Sequence, residues 1–434
     1  MGLPIAVGQL GVIIVGFVDT MMVGQYSTDA LAAASFVNNV FNLVTFLLMG
    51  YAYGLTPMVS ARYGRGERRE TGVVLRSALA ANALFGVAVI AVMTMLFFFL
   101  DRMGQPAYLL PLICPYYLVV LASVPFIMLF NVLRQFTDGT TDTMAGMYPL
   151  LAGNVLNIVG NWLLIYGVGP FPELGLLGAG ISTLTARVFM VVALVATIYF
   201  RRRYAKCRAG FAQSRVQRDL VLAVHRNSYP LGLQMGMENG AFTMSAVMAG
   251  WLGAVELASY QVMVTIGTLG FLFYYSFGAG MSIRIATFVG QNDWERVHRA
   301  SLAGRNILIA LVILSSLVIY CFSEQLIAFF TSDALVITMS LSLIAPLLLY
   351  QLADAMQIGY ANALRGTSQV SSMMWVAFVS YIVVNIPLAY VLGFLCGWGI
   401  HGIFLAFSAG LLTAASLFYR NFRRVVCNGR GQYQ

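Results

Sequence analysis

Long apolar runs follow one another along almost the whole chain, and that feature decides what it can fold into. They fall near residues 3–23, 30–61, 73–100, 108–132, 143–167, 176–200, 227–251, 255–288, 301–330, 334–363, 370–394 and 400–420. An α-helix needs about 20 residues to cross a bilayer, whereas a barrel strand alternates over only about 10. These runs are continuous and long, so they read as helices. Only 9% of residues are charged, against about 25% in an ordinary soluble domain, so lipid must be the main solvent. The expected fold is an all-α integral membrane protein of about twelve transmembrane helices, with nothing left over for a separate soluble domain.

The net charge of +9 would suggest nucleic acid in a soluble protein. Here it reads as retention of loops on the cytoplasmic side, and no nucleic-acid partner is expected. Arg62, Arg65, Arg68, Arg69 and Arg76 flank one loop. A central segment carries Arg201, Arg202, Arg203, Lys206, Arg208, Arg215, Arg218 and Arg226. Arg134, Arg284, Arg296, Arg299, Arg305 and Arg365 sit at other even-numbered exits, with Arg284 and Arg365 read as surface anchors. Arg420, Arg423, Arg424 and Arg430 close the chain, and only Arg102 falls on the other side. Both termini are therefore expected in the cytoplasm, with the chain in the inner cell membrane. The N-terminal run lacks a basic n-region and a cleavage site, so it reads as a retained first span whose abrupt start leaves room for upstream residues. The five cysteines are scattered and imply neither a disulfide framework nor a zinc site.

The two halves repeat. An offset of 226 pairs Pro4 with Pro230, Gly24 with Gly250, Leu31 with Leu257, Gly54 with Gly280 and Gly64 with Gly290. An offset of 231 then aligns LICPYYLVVLASVPFIMLFNVLR with LIAPLLLYQLADAMQIGYANALR, pairing Pro115 with Pro346 and Arg134 with Arg365. With six spans per half, both halves enter the membrane from the same side, a parallel repeat of the kind transporters use. The expected divisions are an N-lobe at 1–205 (spans 1–6), a basic cytoplasmic linker at 206–226, and a C-lobe at 227–434 (spans 7–12) with a short tail.

Asp19, Arg187, Glu238 and Asp354 are the clear charges inside spans. An acid at mid-helix costs about 2.5–3.5 kcal/mol on insertion scales, so such residues face an interior cavity and serve transport. Their repeat partners are Ser245 for Asp19, Val12 for Glu238 and Ser123 for Asp354. The scaffold is symmetric and the acids are not, which holding the scaffold together does not explain. A carboxylate in a partly dry cavity can take up a proton near neutral pH, bind a small cation, or hold an organic cation. Helical spacing places Tyr350 with Asp354, Gln234 with Glu238, and Asn157 with Asn161 on common faces. Asn and Gln also bridge helices in bundles, and most of the Met, Phe and Tyr serve packing or face lipid. Arg187 either balances a carboxylate or snorkels to an interface.

GFVDTMMVGQYSTDALAA, NVLNIVGNWLLIYG with LGLLGAGIST, and YQLADAMQIGYANALRGT together resemble the multidrug and toxic compound extrusion (MATE) family, in its NorM-like branch. The resemblance spans essentially the whole chain, with the motifs in order. It implies twelve helices in two pseudo-symmetric six-helix lobes around a central cavity. The implied activity is secondary active export of small organic cations, often aromatic, in exchange for inward Na+ or H+. It assigns coupling to Asp19, Glu238, Asp354 and Tyr350, with Na+ a candidate at Glu238 and Asp354. It gives Asn157 and Asn161 a supporting polar role, beside which Gln234, one turn from Glu238, and Arg187, a charge inside a span, stand as further candidates. No cofactor beyond the coupling ion is expected, the partners being cargo and bilayer, and the chain is expected to act as a monomer. A lipid-linked sugar flippase of the same superfamily would favour a basic cavity. An intramembrane enzyme would need a nucleophile–base pair or metal ligands; there is no HExxH, and His225, His298 and His401 lie at span ends.

Overall fold

The computed structural model describes residues 2–103 and 105–431, without the side chains of 429–431, so Arg430 of the basic tail and positions 1 and 432–434 of the expected lobes lie outside it. Every element longer than a few residues is helical, and no strand occurs among the described residues. The chain divides into two compact units, one running from Leu3 to Ser228 and the other from Tyr229 onward.

In the first unit, α1 (Gly2–Tyr26), α2 (Thr28–Tyr53), α3 (Leu55–Gly64), α4 (Arg68–Phe97), α5 (Leu110–Gly139), α6 (Thr143–Tyr166) and α7 (Leu176–Phe200) supply six spans, with α2 and α3 sharing one. Ser27 starts α2 by accepting the Ala30 amide, and Gly167 ends α6 in the left-handed region at φ 66°. The central helix α5 packs against α2, α4, α6 and α7. Its Ile113, Tyr117 and Val124 are fully buried in the apolar core.

The segment expected as a linker at 206–226 belongs to the first unit. Its helix α8 (Ala205–Gln213) lies on α4, and α9 (Arg218–Leu252) starts within it. Gly72 and Gly210 allow this approach, because a Cβ on either would strike the other helix's backbone at Cys207 or Arg69. Arg76 then donates to the Phe211 and Ser214 carbonyls at 2.9 and 2.6 Å.

In the second unit, α10 (Ala254–Gly290), α11 (Trp294–Cys321), α12 (Ser323–Phe330), α13 (Ala334–Ser342), α14 (Ile344–Gly366), α15 (Ser371–Ala377), α16 (Ile386–Tyr390) and α17 (Gly399–Gly431) follow α9. Among the described residues, ten helices are long and apolar enough to cross a membrane, and α13 with α14, bent by 51°, makes an eleventh. The 35-residue α9 stands at the remaining expected span; Gln234, Glu238 and Asn239 make it more polar than the others. Runs read as single helices are thus broken. The run at 370–394 alternates between α-helix and π-helix, at Phe378–Asn385 and Val391–Leu395. Apolar composition sets the length of a span but leaves its internal hydrogen-bond register free, and π-turns concentrate at functional places.

The repeat is visible in backbone detail. Gly66 (φ 80°) and Asn292 (φ 57°) take the same left-handed position 226 apart, as do Thr141 (φ 64°) and Ser368 (φ 60°) at 227. A Cβ on Gly139 would meet Val59 and the Thr56 carbonyl; one on Gly366 would meet Ile285 and the Ser282 carbonyl. These contacts set α5 against α14 at an offset of 227, not the 231 suggested by NVLR and NALR. A slip of four residues is nearly one helical turn, so the sequence match slid without changing face. Asp354 then faces Ile127 rather than Ser123 across the repeat, and its position still has no acidic counterpart.

Candidate functional site

Each unit buries its own polar cluster. In the first, Asp19 is half-buried on α1 and accepts a hydrogen bond from the Asn161 side-chain amide on α6. The half-buried Arg187 on α7 donates to the Ser123 hydroxyl on α5 and lies within the electrostatic field of Asp19 and Tyr116. Arg187 thus turns inward to Ser123 and forms no ion pair with Asp19 among the described residues. Tyr116 reaches the Asn38 amide oxygen at 3.3 Å. Asn157 binds elsewhere, its amide donating to the Thr183 hydroxyl at 3.2 Å and its backbone carbonyl accepting from Ser182 at 2.7 Å. It bridges α6 to α7. The side-chain oxygens of Asn157 and Asn161 are buried without a partner, so the cluster keeps acceptor capacity for a bound group or water.

In the second unit, Asp354 on α14 is 2% exposed and accepts the Tyr274 hydroxyl at 3.0 Å. Tyr350, one turn earlier, is buried on the same helix, its ring edge-on to Phe242 and Phe407 at 6.2 and 5.7 Å. Glu238 is half-buried on α9 beside the Gln234 amide and the Tyr381 hydroxyl, and its charge acts on Asp354 and Tyr350. The predicted set Glu238, Asp354, Tyr350 and Gln234 is thus brought together. Two carboxylates that repel each other resist carrying charge at once, and a bound cation or proton relieves that repulsion.

The oxygens suit a small hard cation: two carboxylates, the tyrosine hydroxyls, and Gln234 Oε1, which is buried without a partner. No group of three or more His, Cys, Asp or Glu occurs among the described residues, so a soft transition-metal centre is not what the donors fit.

Sequence reasoning missed several members. Tyr274 falls under the general reading of the tyrosines as packing, and no spacing marks it, because it meets Asp354 from another helix. Asn385, fully buried on the π-helix with both amide atoms unpartnered, carried a signal in VVNI against VLNI around Asn157. Asp138 is 5% exposed at the end of α5, and Asp142 just beyond it pairs with Arg201 at 2.9 Å and accepts from Tyr204 at 3.0 Å. Both fall between the apolar runs at 108–132 and 143–167. Arg365, read as a surface anchor, is only 6% exposed and donates to Asn362 at 3.1 Å.

Known proteins match over the same length. A protein of Photobacterium profundum called Multidrug resistance protein NorM is 26% identical over 432 residues, covering 98% of this chain and 94% of that protein. The protein of that name from Vibrio cholerae is 28% identical over 418 residues, covering 95% and 91%. A crystal structure of MATE in the bent conformation superposes with a TM-score of 0.91 at 19% identity, over all of this chain and 95% of that one, a likeness of fold. The MatE family profile matches twice, over residues 4–163 and 230–391, one copy in each half of the repeat. With both copies in register and about three-quarters of its residues covered, the chain belongs to the MatE family, the multidrug and toxic compound extrusion proteins.

Proposed function

We propose that this protein is a secondary active multidrug exporter that exchanges small organic cations for inward Na+ or H+ by alternating access. It acts as a monomer in the inner cell membrane with both termini cytoplasmic, and needs no cofactor beyond the coupling ion. The observation that carries the reading is the burial of Asp354, held by the Tyr274 hydroxyl at 3.0 Å, inside the unit that also carries Glu238. The names of its relatives point to drug export.

The residues supply the coupling chemistry. With the coupling ion absent, the carboxylates attract a cationic cargo. When Na+ or a proton occupies Glu238 and Asp354, the attraction is cancelled and cargo is released. Tyr274 holds the Asp354 carboxylate in place, and Asn161 does the same for Asp19. Release of the ion on the other side regenerates the negative site. The flippase reading calls for a basic interior, yet Arg187 already lies within the field of Asp19.

Dye export from vesicles holding the purified protein tests this, under an imposed proton gradient or an imposed sodium gradient. Export driven by one gradient and absent without either is expected. Export indifferent to both would overturn the reading.

A further inference from the structure

The repeat isolates one buried residue to which the coupling chemistry gives no task. Asn385 ends the π-helix Phe378–Asn385, fully buried, with neither its amide oxygen nor its amide nitrogen bonded within the chain. Backbone contacts identify its counterpart in the first unit. A Cβ on Gly178 would strike the Leu164 carbonyl, and one on Gly402 would strike that of Leu392. The helices that meet there are thus matched at offsets of 228 and 224, and the first of these pairs Asn385 with Asn157. At Thr141 and Ser368 the offset is still 227. One residue has been added in between, on the helix whose π-turns each take up one residue more than an α-turn.

Asn157 serves the scaffold: its amide donates to the Thr183 hydroxyl at 3.2 Å, and Ser182 donates to its backbone carbonyl at 2.7 Å. In the second unit those two positions, 224 residues on, are Ala406 and Phe407. Neither side chain can bond an amide. Phe407 packs on Phe242 and Tyr350 instead, with ring centroids 4.3 and 5.7 Å away. Asn385 has kept its polarity without the helix-bridging partners, and a buried amide so left costs stability that an apolar residue of its size would not. Ser380, one π-turn earlier, is also fully buried with its hydroxyl unbonded. Both residues meet α17 at Gly410, where a Cβ would lie 2.9 Å from the Asn385 Cβ and 3.0 Å from the Ser380 carbonyl. Tyr381, next to Ser380 and 1% exposed, lies within the electrostatic field of Glu238 and Asp354.

We propose that Asn385 and Ser380 hold an ordered water molecule beside Tyr381, and that this water serves the coupling ion at Glu238 and Asp354. The second half rests on those acids being the coupling site. The amide decides the occupant, because it offers a donor and an acceptor at once. A bare cation would satisfy Oδ1 and be repelled by the hydrogens on Nδ2, whereas water answers both. A small hard cation that sheds its own shell needs oxygen ligands, and waters count among them. To a proton the same molecule is a carrier on the way to a carboxylate. Asn385 and Ser380 are thus positioning residues, acting on the ion through water.

A crystal structure at a resolution that shows water tests the site, and export from vesicles tests its use. Water within hydrogen-bond distance of the Asn385 amide and the Ser380 hydroxyl is expected. Asn385→Leu, close in size and without polar atoms, should lack that water and keep its thermal stability. In this variant the concentration of coupling ion giving half-maximal export should rise about fivefold, the worth of one hydrogen bond, with maximal export retained. Asn385→Ser leaves room for water and a hydroxyl to bond it, so it should recover part of the shift. Ser380→Ala removes a single oxygen and should shift the same concentration in the same direction, which decides the claim even where Asn385→Leu folds poorly. A parent structure whose Asn385 amide bonds no water would overturn the proposal, as would an unchanged half-maximal concentration in both Asn385→Leu and Ser380→Ala. The crystallographic arm needs no transport, so export indifferent to every gradient counts against the exporter reading and not against the water site.

Discussion

The side-chain amide of Asn161 donates to the carboxylate of Asp19, tying α6 to α1 within the first unit. Arg187 stands behind this pair, bonded to Ser123. An acid half-buried among helices is thus oriented by a neutral donor instead of being cancelled by a bidentate salt bridge. Its charge stays available. Asn161→Ala removes the donor and leaves the carboxylate under-solvated, a loss of about 1–3 kcal/mol. Exchange in vesicles should fall roughly tenfold or more, with membrane insertion intact. Unchanged exchange would show that Asp19 does not depend on this bond.

Tyr274 donates to Asp354 at 3.0 Å from a different helix. Tyr274→Phe keeps the ring and deletes that bond, worth about 1.5–3 kcal/mol to a charged group. The concentration of coupling ion giving half-maximal export should shift by about tenfold or more, with maximal export largely retained. A loss of maximal rate with no shift would assign Tyr274 to packing alone.

The docking of α8 on α4 rests on Gly72 and Gly210, and Cys207 beneath it is 2% exposed. Burial also pushes the Cys207 thiol up from its ordinary value, so less of the reactive thiolate is present at neutral pH. Maleimide should label Cys207 much more slowly than the exposed Cys427. Gly210→Ala, which forces the helices apart at a cost of about 1–3 kcal/mol, should accelerate that labelling. Equal labelling rates in the parent protein would contradict the docked arrangement.

The matched glycines Gly139 and Gly366 make a symmetric prediction. Each lets its helix end meet a neighbouring backbone carbonyl, that of Thr56 or Ser282. Alanine at either place should lower thermal stability by comparable amounts, about 1–3 kcal/mol. A large effect at one and none at the other would mean that the two helix ends are not equivalent.

Most of the fold was legible because the bilayer narrows the choices: only helices satisfy their own backbone within lipid, so apolar runs translate directly into spans. The repeat was legible where glycines recur at a fixed offset, as at Gly64 with Gly290 and at Gly54 with Gly280. It misled on α14, where NALR resembles NVLR one turn out of step. The acids Asp19, Glu238 and Asp354 stood out by their cost in an apolar run. Their partner Tyr274 did not, since a tyrosine in a membrane helix is unremarkable until its hydroxyl is seen against a carboxylate. The π-turns before and after Pro387 left no mark in composition.

The central claim is that ion occupancy of the Glu238–Asp354 pair drives export, and Asp354→Asn tests it most directly. In vesicles given the gradient that drives the parent protein, export by this variant should fall to the level seen with no gradient. The variant protein should still insert and fold. Gradient-driven export at the parent rate would contradict the account.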